Sequence, residues 1–227
     1  MASFSDSEKL KRIELIKQSY TLYSDSKEIV VILLSGSFET RLQSFSRGSV
    51  FEAPPVGFYC ANDGDILLEV SNYAEICVIE SKQKNKIPLS VIDHNSTKIK
   101  AVGKKNYSRV VKTIVDSTSG LKNLIVGETI KTKGNWSSWP PHKHDSFAIG
   151  EESKQKEIYL YKFREKKGFG VQLVYDGDAA NPIIVKNNDE VKIGSGYHPV
   201  VASPRSEMYY LWALFGDNSF FKVRYEE

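Results

Sequence analysis

Apolar positions in this chain come in short runs, many with a period of two. Ile29–Ser35 (IVVILLS) is β-branched and apolar and stops at Gly36, and Ser37–Leu42 alternates, with Phe38 apolar beside charged Glu39. Ser49–Glu52, Gly57–Cys60, Ile66–Val70 and Glu75–Glu80 are further short runs, separated by Pro54-Pro55, Asn62-Asp63-Gly64-Asp65 and Ser71-Asn72. Ser81–Ile87 and His94–Lys105 are polar and lysine-rich and read as connecting structure. The rhythm then resumes in Leu124–Thr129, Glu157–Phe163, Gly170–Tyr175, Ile183–Val185, Glu190–Ile193 and Met208–Phe215. Short strands punctuated by turn residues predict an all-β sandwich or barrel. One helix competes, at Asp6–Gln18, where Leu10, Ile13 and Ile16 recur every three residues; a strand there is nearly as well supported.

Both halves share this rhythm without visible sequence identity. Two related β-barrel halves of ~110 residues each fit the length. The composition is ordinary for a soluble globular protein, at 41% hydrophobic and 26% charged. The net charge of +3 is too mild and too evenly spread for a nucleic-acid footprint. The longest apolar run, Met208–Phe215, is far short of the ~20 residues a membrane helix needs. The start, MASFSDSEKLKR, lacks the apolar stretch of a secretory signal. Cys60 and Cys77 do not make a disulfide scaffold, and read as buried apolar fillers. The expectation is a cytoplasmic protein without nucleic-acid or membrane partners.

The rarest informative residues are the histidines, His94, His142, His144 and His198. His94 lies in a polar turn, and Lys82–Lys86 is a charged loop; both read as solvated. On a strand, His142 and His144 point to one side and Lys143 to the other. Alternation likewise places Glu157, Tyr159, Tyr161 and Phe163 on one face of their strand. A glutamate on an aromatic face must be paired, protonated or metal-bound, because burying a bare carboxylate is costly. His198 follows in a glycine-rich turn. Three imidazoles and one carboxylate make a site for one divalent transition metal, and zinc, manganese, iron and nickel all tolerate such ligands.

HxH, then a glutamate, then a glycine-turn histidine resembles the metal site of cupins, which are double-stranded β-helix barrels. The twelve residues between His144 and Glu157 imply a loop insertion. A more specific resemblance is carried by GNWSSWPPHKHD (Gly134–Asp145), EIYLYKF (Glu157–Phe163), GFGVQ (Gly168–Gln172) and GYHP (Gly196–Pro199). These are similar to the 5-deoxy-glucuronate isomerase family, the two-cupin (bicupin) enzymes of myo-inositol catabolism. The resemblance is densest over Lys105–Gly216. It implies an N-terminal cupin-like barrel without metal ligands over residues 1–104, and a metal-bearing cupin barrel over residues 105–227. His142, His144, Glu157 and His198 fall on the family's metal ligands. Trp139, Leu160, Lys162, Leu173 and Trp212 depart from its usual residues, and the last two bear on the pocket.

The implied reaction is an aldose–ketose isomerisation of 5-deoxy-glucuronate to 5-dehydro-2-deoxy-gluconate. It needs a Lewis acid on the oxygens and a group that moves a proton between adjacent carbons. Glu157, Tyr159 and Tyr210 are the catalytic candidates. The substrate is a sugar acid, so Arg109, Lys143 and Arg205 are candidate carboxylate partners, with Tyr161 and Gln172 as further substrate contacts. Asp145 reads equally as an orienting partner for an imidazole or as a turn residue, and Trp136 and Trp139 as a brace for the histidine strand. The competing readings are an isomerase of 4-deoxy-5-keto-uronates, a cupin metal-dependent oxygenase, and a non-enzymatic sugar-acid binder. A homo-oligomer is compatible with all of them.

Overall fold

The structure, a computed structural model, describes residues 3–177 and 179–227. The first part of the chain forms β1 (Lys9–Tyr23), β2 (Lys27–Glu39), β3 (Ser44–Arg47), β4 (Gly57–Ala61), β5 (Asp65–Lys82) and β6 (Ile87–Ile92). These make one antiparallel sheet in the order β1-β5-β2-β4-β6, with β3 paired to β2. The rest forms β7 (Lys98–Val102), β8 (Arg109–Val115), β9 (Leu124–Lys131), β10 (Trp136–Ser137), β11 (His142–Lys143), β12 (Lys156–Phe163), β13 (Gly170–Tyr175), β14 (Ala180–Val185), β15 (Glu190–Ile193), β16 (Val200–Ala202), β17 (Met208–Phe215) and β18 (Arg224–Tyr225). A six-stranded sheet runs β15-β12-β17-β9-β8-β7, a four-stranded one runs β10-β16-β13-β14, and β11 pairs with β18. The only helical elements among the described residues are single 3-10 turns at Lys105–Tyr107 and Ser117–Ser119. The chain is all-β, as its patterning predicts.

Three apolar layers hold it together. Ile29, Val31 and Leu33 pack inside the first sheet's curl, while Val30, Ile32 and Leu34 point the other way into a central layer. Ile158 and Leu160 of β12 and Leu211 and Ala213 of β17 meet them there. Tyr159, Tyr161, Phe163, Met208 and Tyr210 occupy the opposite face and pack against β16. Both faces of β2, β12 and β17 are therefore buried, which is why these strands read as nearly continuous apolar runs. Cys60 and Cys77 are free and buried.

Several local expectations are corrected. Asp6–Gln18 contributes to a strand, not a helix: β1 pairs with β5 along its length, with a bulge between Ile16 and Gln18 where Lys17 adopts φ 46°. Ahead of the bulge Ile13 faces the side opposite to Leu10 and Ile16, and Ile16 is 63% exposed, so the three-residue spacing buries no helical face. Gly36 bends β2 rather than ending it; at φ +90° it lies so close to β5 that a Cβ would sit 2.2 Å from the Tyr73 oxygen. Ser71-Asn72 lies within β5, not in a turn. Ser49–Glu52 is a turn, not a strand, closed by the Glu52 and Ala53 N–H groups on the Ser49 carbonyl. His94–Lys105 includes β7, which pairs with β8.

Candidate metal centre

Register places the chemistry. Tyr159, Trp212, Gly127 and Thr113 form one row across β12, β17, β9 and β8, and Tyr161, Tyr210, Thr129 and Val111 form the next. Glu157 precedes Tyr159 on the same face of β12, and Arg109 follows Val111 on the same face of β8. Against this sheet stand β10 and β16, with His198 just ahead of β16. Between them lies a cavity of about 280 Å³ whose wall includes His142, His144, Glu157, Tyr159, Tyr210 and Arg109.

Nitrogens of His144 and His198 and an oxygen of Glu157 lie within 4.8 Å of one another, and all three residues are buried. The His142 ring joins from the rim, its centroid 5.0 Å from that of His198 and 6.3 Å from that of His144. Each imidazole is held by a backbone carbonyl: His142 Nδ1 by Pro140 at 3.3 Å, His144 Nδ1 by Gln155 at 3.1 Å and His198 Nδ1 by Gly196 at 2.8 Å. A carbonyl only accepts, so each Nδ1 donates, and in a neutral ring Nε2 then carries the lone pair. For His144 and His198 that Nε2 lies 3.3 Å from Glu157 Oε2. His198 Nε2 is buried without a hydrogen-bond partner. Lone pairs converging on a carboxylate oxygen repel unless a proton or a cation lies among them.

The electrostatics carry the same conflict. Burial opposes charge on Glu157, yet the neighbouring His144 and His198 imidazoles outweigh it and hold the carboxyl at about 2. For His144, burial disfavours the cation, but the bond to Glu157 and its charge raise the pKa overall. Burial, then the neighbouring His198 and His144, lower His142 to about 3, so its ring stays neutral. Three imidazoles preset by backbone carbonyls and one ionised carboxylate fit a divalent transition ion in donor type and number.

The profile of the KduI/IolB family matches residues 9–227. The chain belongs to this family. It is 33% identical to a 5-deoxy-glucuronate isomerase of Geobacillus kaustophilus over 215 residues, covering 90% of this chain and 78% of that relative. A Bacillus subtilis 5-deoxy-glucuronate isomerase is 31% identical over 208 residues, 87% of this chain and 77% of the relative. An IolB-like protein from Salmonella typhimurium superposes with a TM-score of 0.89 at 28% identity, covering 96% of this chain and 86% of that one. A Lactobacillus farciminis oxalate decarboxylase shares the fold alone, at TM-score 0.63 and 10% identity, over 96% of this chain and 80% of its own.

Within this family member, the remaining candidates separate. Tyr159 donates to Glu157 Oε2 at 2.8 Å, and Tyr210 bonds Ser137. Arg109 borders the cavity and donates to the Tyr107 carbonyl at 3.0 Å; no carboxylate among the described residues pairs with it. Lys143 turns away from the cavity to Asp176, at 3.4 Å, and lies over the Tyr197 ring. Tyr161 and Gln172 are spent on each other, at 2.6 Å, and Gln172 Nε2 donates to the carbonyls of His198 at 2.7 Å and Pro199 at 3.1 Å. Arg205 lines a different groove with Phe169. Asp145 accepts from the Gly196 N–H at 2.7 Å and so ties the His144 loop to the His198 turn. Sequence reasoning missed the segment carrying Phe221, Val223 and Tyr225, which closes one side of the cavity. Its signal was the two-residue alternation of those three side chains.

Proposed function

We propose that this chain is a metal-assisted aldose–ketose isomerase that converts 5-deoxy-glucuronate to 5-dehydro-2-deoxy-gluconate in the cytoplasm. The observation that carries this reading is that His142, His144 and Glu157 line one cavity with Tyr159 and Tyr210, with His198 grouped behind them on His144 and Glu157, in a chain one-third identical to isomerases of that name. On this reading the four are the ligands of one divalent transition ion. The two halves are cupin-type barrels, residues 1–104 serving structure and residues 105–227 bearing the site, with β7 crossing to the second sheet. Every side chain invoked comes from one chain, and a homo-oligomer is compatible with this.

An ion held by His142, His144, Glu157 and His198 would supply Lewis acidity to the substrate's oxygens. The residues of this chain supply the rest. Isomerisation removes a proton from the carbon beside the carbonyl and delivers one to the former carbonyl carbon; oxidation at one carbon balances reduction at the next, so no nicotinamide is needed. Burial raises the pKa of Tyr159 and Tyr210, which keeps both phenols protonated and able to donate. Tyr159, already bonded to Glu157, can pass a proton between that carboxylate and the substrate. Arg109 holds the substrate carboxylate.

Elemental analysis of the purified protein and turnover of 5-deoxy-glucuronate in deuterated water test the reading. One divalent ion per chain and solvent deuterium in the product are expected. His144→Ala is expected to weaken metal binding by at least about a hundredfold and abolish turnover. A folded, metal-free H144A protein that isomerises at the wild-type rate sinks the metal reading.

A further inference from the structure

Two consecutive serines, Ser137 and Ser138, stand where β10 ends. Neighbours on an extended strand point to opposite sides. Here both line the cavity, because the chain leaves β10 at Ser138, whose φ is 50°. Each is buried and each faces a tyrosine hydroxyl: Ser137 Oγ bonds Tyr210, and Ser138 Oγ lies 3.5 Å from the Tyr159 hydroxyl. Those tyrosines stand in successive rows of the facing sheet, with Glu157 in the row before, so the serine pair begins one row from the carboxylate. A serine hydroxyl has one proton and two lone pairs, and a single tyrosine uses only part of that capacity. Tyr159 gives its proton to Glu157 Oε2, at 2.8 Å, so towards Ser138 it can only accept. The Ser138 lone pairs are left for a hydroxyl in the cavity. In the Ser137–Tyr210 bond either oxygen can donate, so Ser137 can meet a donor or an acceptor. Leu214, Phe221 and Val223, also in the lining, offer no polar side-chain atom.

We propose that Ser137 and Ser138 bind the substrate directly, each taking one of two neighbouring hydroxyls on the carbons beyond the pair that exchanges the carbonyl. This rests on the isomerase reading and deepens it. On that reading the reacting oxygens belong at the His/Glu cluster, and the serines lie past it, beyond Tyr159. Consecutive Cα atoms are about 3.8 Å apart, close to the spacing of hydroxyls on adjacent carbons, so one open-chain polyol segment can meet both serines. In 5-deoxy-glucuronate these are the 3- and 4-hydroxyls. Neither changes when the carbonyl moves, so the serines hold ground state and transition state alike, and their loss falls on KM rather than kcat.

The test measures kcat and KM, per free aldehyde, for 5-deoxy-glucuronate and for its 3,5-dideoxy and 4,5-dideoxy counterparts. The proteins are the wild type, Ser137→Ala and Ser138→Ala, with metal content determined for each. Each substitution is expected to raise KM for 5-deoxy-glucuronate about three- to tenfold, with kcat within about twofold at unchanged metal content. On one dideoxy acid the S138A penalty should vanish, and on the other the S137A penalty. Penalties equal on all the acids, or absent from all, overturn the proposal and leave the isomerase reading standing. A metal-loaded wild type that turns over none of them overturns both. Should the variants not fold, the wild type alone decides: a KM for either dideoxy acid as low as that for 5-deoxy-glucuronate overturns the proposal.

Discussion

The Arg47 guanidinium and the Glu128 carboxylate meet in two parallel bonds, 2.6 and 2.9 Å, with neither side chain exposed. Arg47 comes from β3 in the first sheet and Glu128 from β9, the strand whose opposite face carries Gly127 and Thr129. The pair therefore locks the first sheet to the back of the site. Leu33 and Ala53 carbonyls take further donors of Arg47, and the Tyr209 hydroxyl donates to Glu128 at 2.8 Å. Removing Arg47 leaves the buried Glu128 carboxylate with only the more distant Lys112 Nζ, at 3.9 Å, as a cationic partner. Arg47→Met is expected to cost ~3–5 kcal/mol in urea denaturation. Arg47→Met/Glu128→Leu is expected to cost less than the sum of the single substitutions, and an additive double mutant would refute the coupling.

Gln172 reaches the cluster from behind. It bonds the Tyr161 hydroxyl and the carbonyls of His198 and Pro199, so it sets the backbone from which the His198 ring projects. Gln172→Leu keeps the volume and removes the bonds. The expected outcome is a loss of ~1–3 kcal/mol in stability and of about 10- to 100-fold in metal affinity. KM at saturating metal should stay within about twofold, because no Gln172 atom reaches the cavity. A KM defect without a metal defect would return Gln172 to the substrate.

What was legible in the sequence was what depends on neighbours in the chain. Alternation along β12 needs only the period of a strand, and it placed Glu157, Tyr159 and Tyr161 on one face and Lys143 opposite its flanking histidines. What was not legible depends on register between distant strands. Tyr161 and Gln172 share the cavity side of their strands, yet only the packing of β12 against β13 shows that they consume each other. Arg47 sits in a polar run, Ser-Phe-Ser-Arg, and nothing local reveals that Glu128, eighty-one residues on, makes it a buried residue. Chance spacing misleads too: Leu10, Ile13 and Ile16 recur every three residues, yet in β1 Ile13 faces the side opposite to Leu10 and Ile16.

Tyr159 separates proton transfer from metal binding. Its hydroxyl bonds Glu157 and is near Ser138 Oγ at 3.5 Å, while its ring packs against Tyr210. Tyr159→Phe keeps the ring and the packing. The expected result is a kcat lower by ~10²–10⁴, with metal still bound and the thermal midpoint little changed. Solvent deuterium incorporation should fall in step with kcat. Unimpaired turnover in this variant would pass the proton-carrying role to Tyr210.

The acid limb of stability, measured on metal-stripped protein, should be set by His142 before the carboxylates whose pKa the fold lowers contribute. Burial and the neighbouring imidazoles hold this ring at about 3, against 6.5 in the unfolded chain. Between those values the unfolded state binds a proton that the folded state does not, so stability rises with pH across that window and is lost as the solution is acidified. Glu157, held at about 2 instead of 4.5, adds a loss of the same sign but only below its unfolded value. His144 runs the other way: its raised pKa contributes stability that is complete below 6.5 and disappears as pH climbs through the folded value. His142→Gln removes the first effect alone. Urea denaturation of the stripped proteins should show the wild type losing up to ~2 kcal/mol more than the variant between pH 6.5 and pH 5. Parallel profiles would mean that the His142 ring takes up its proton without resistance from the fold.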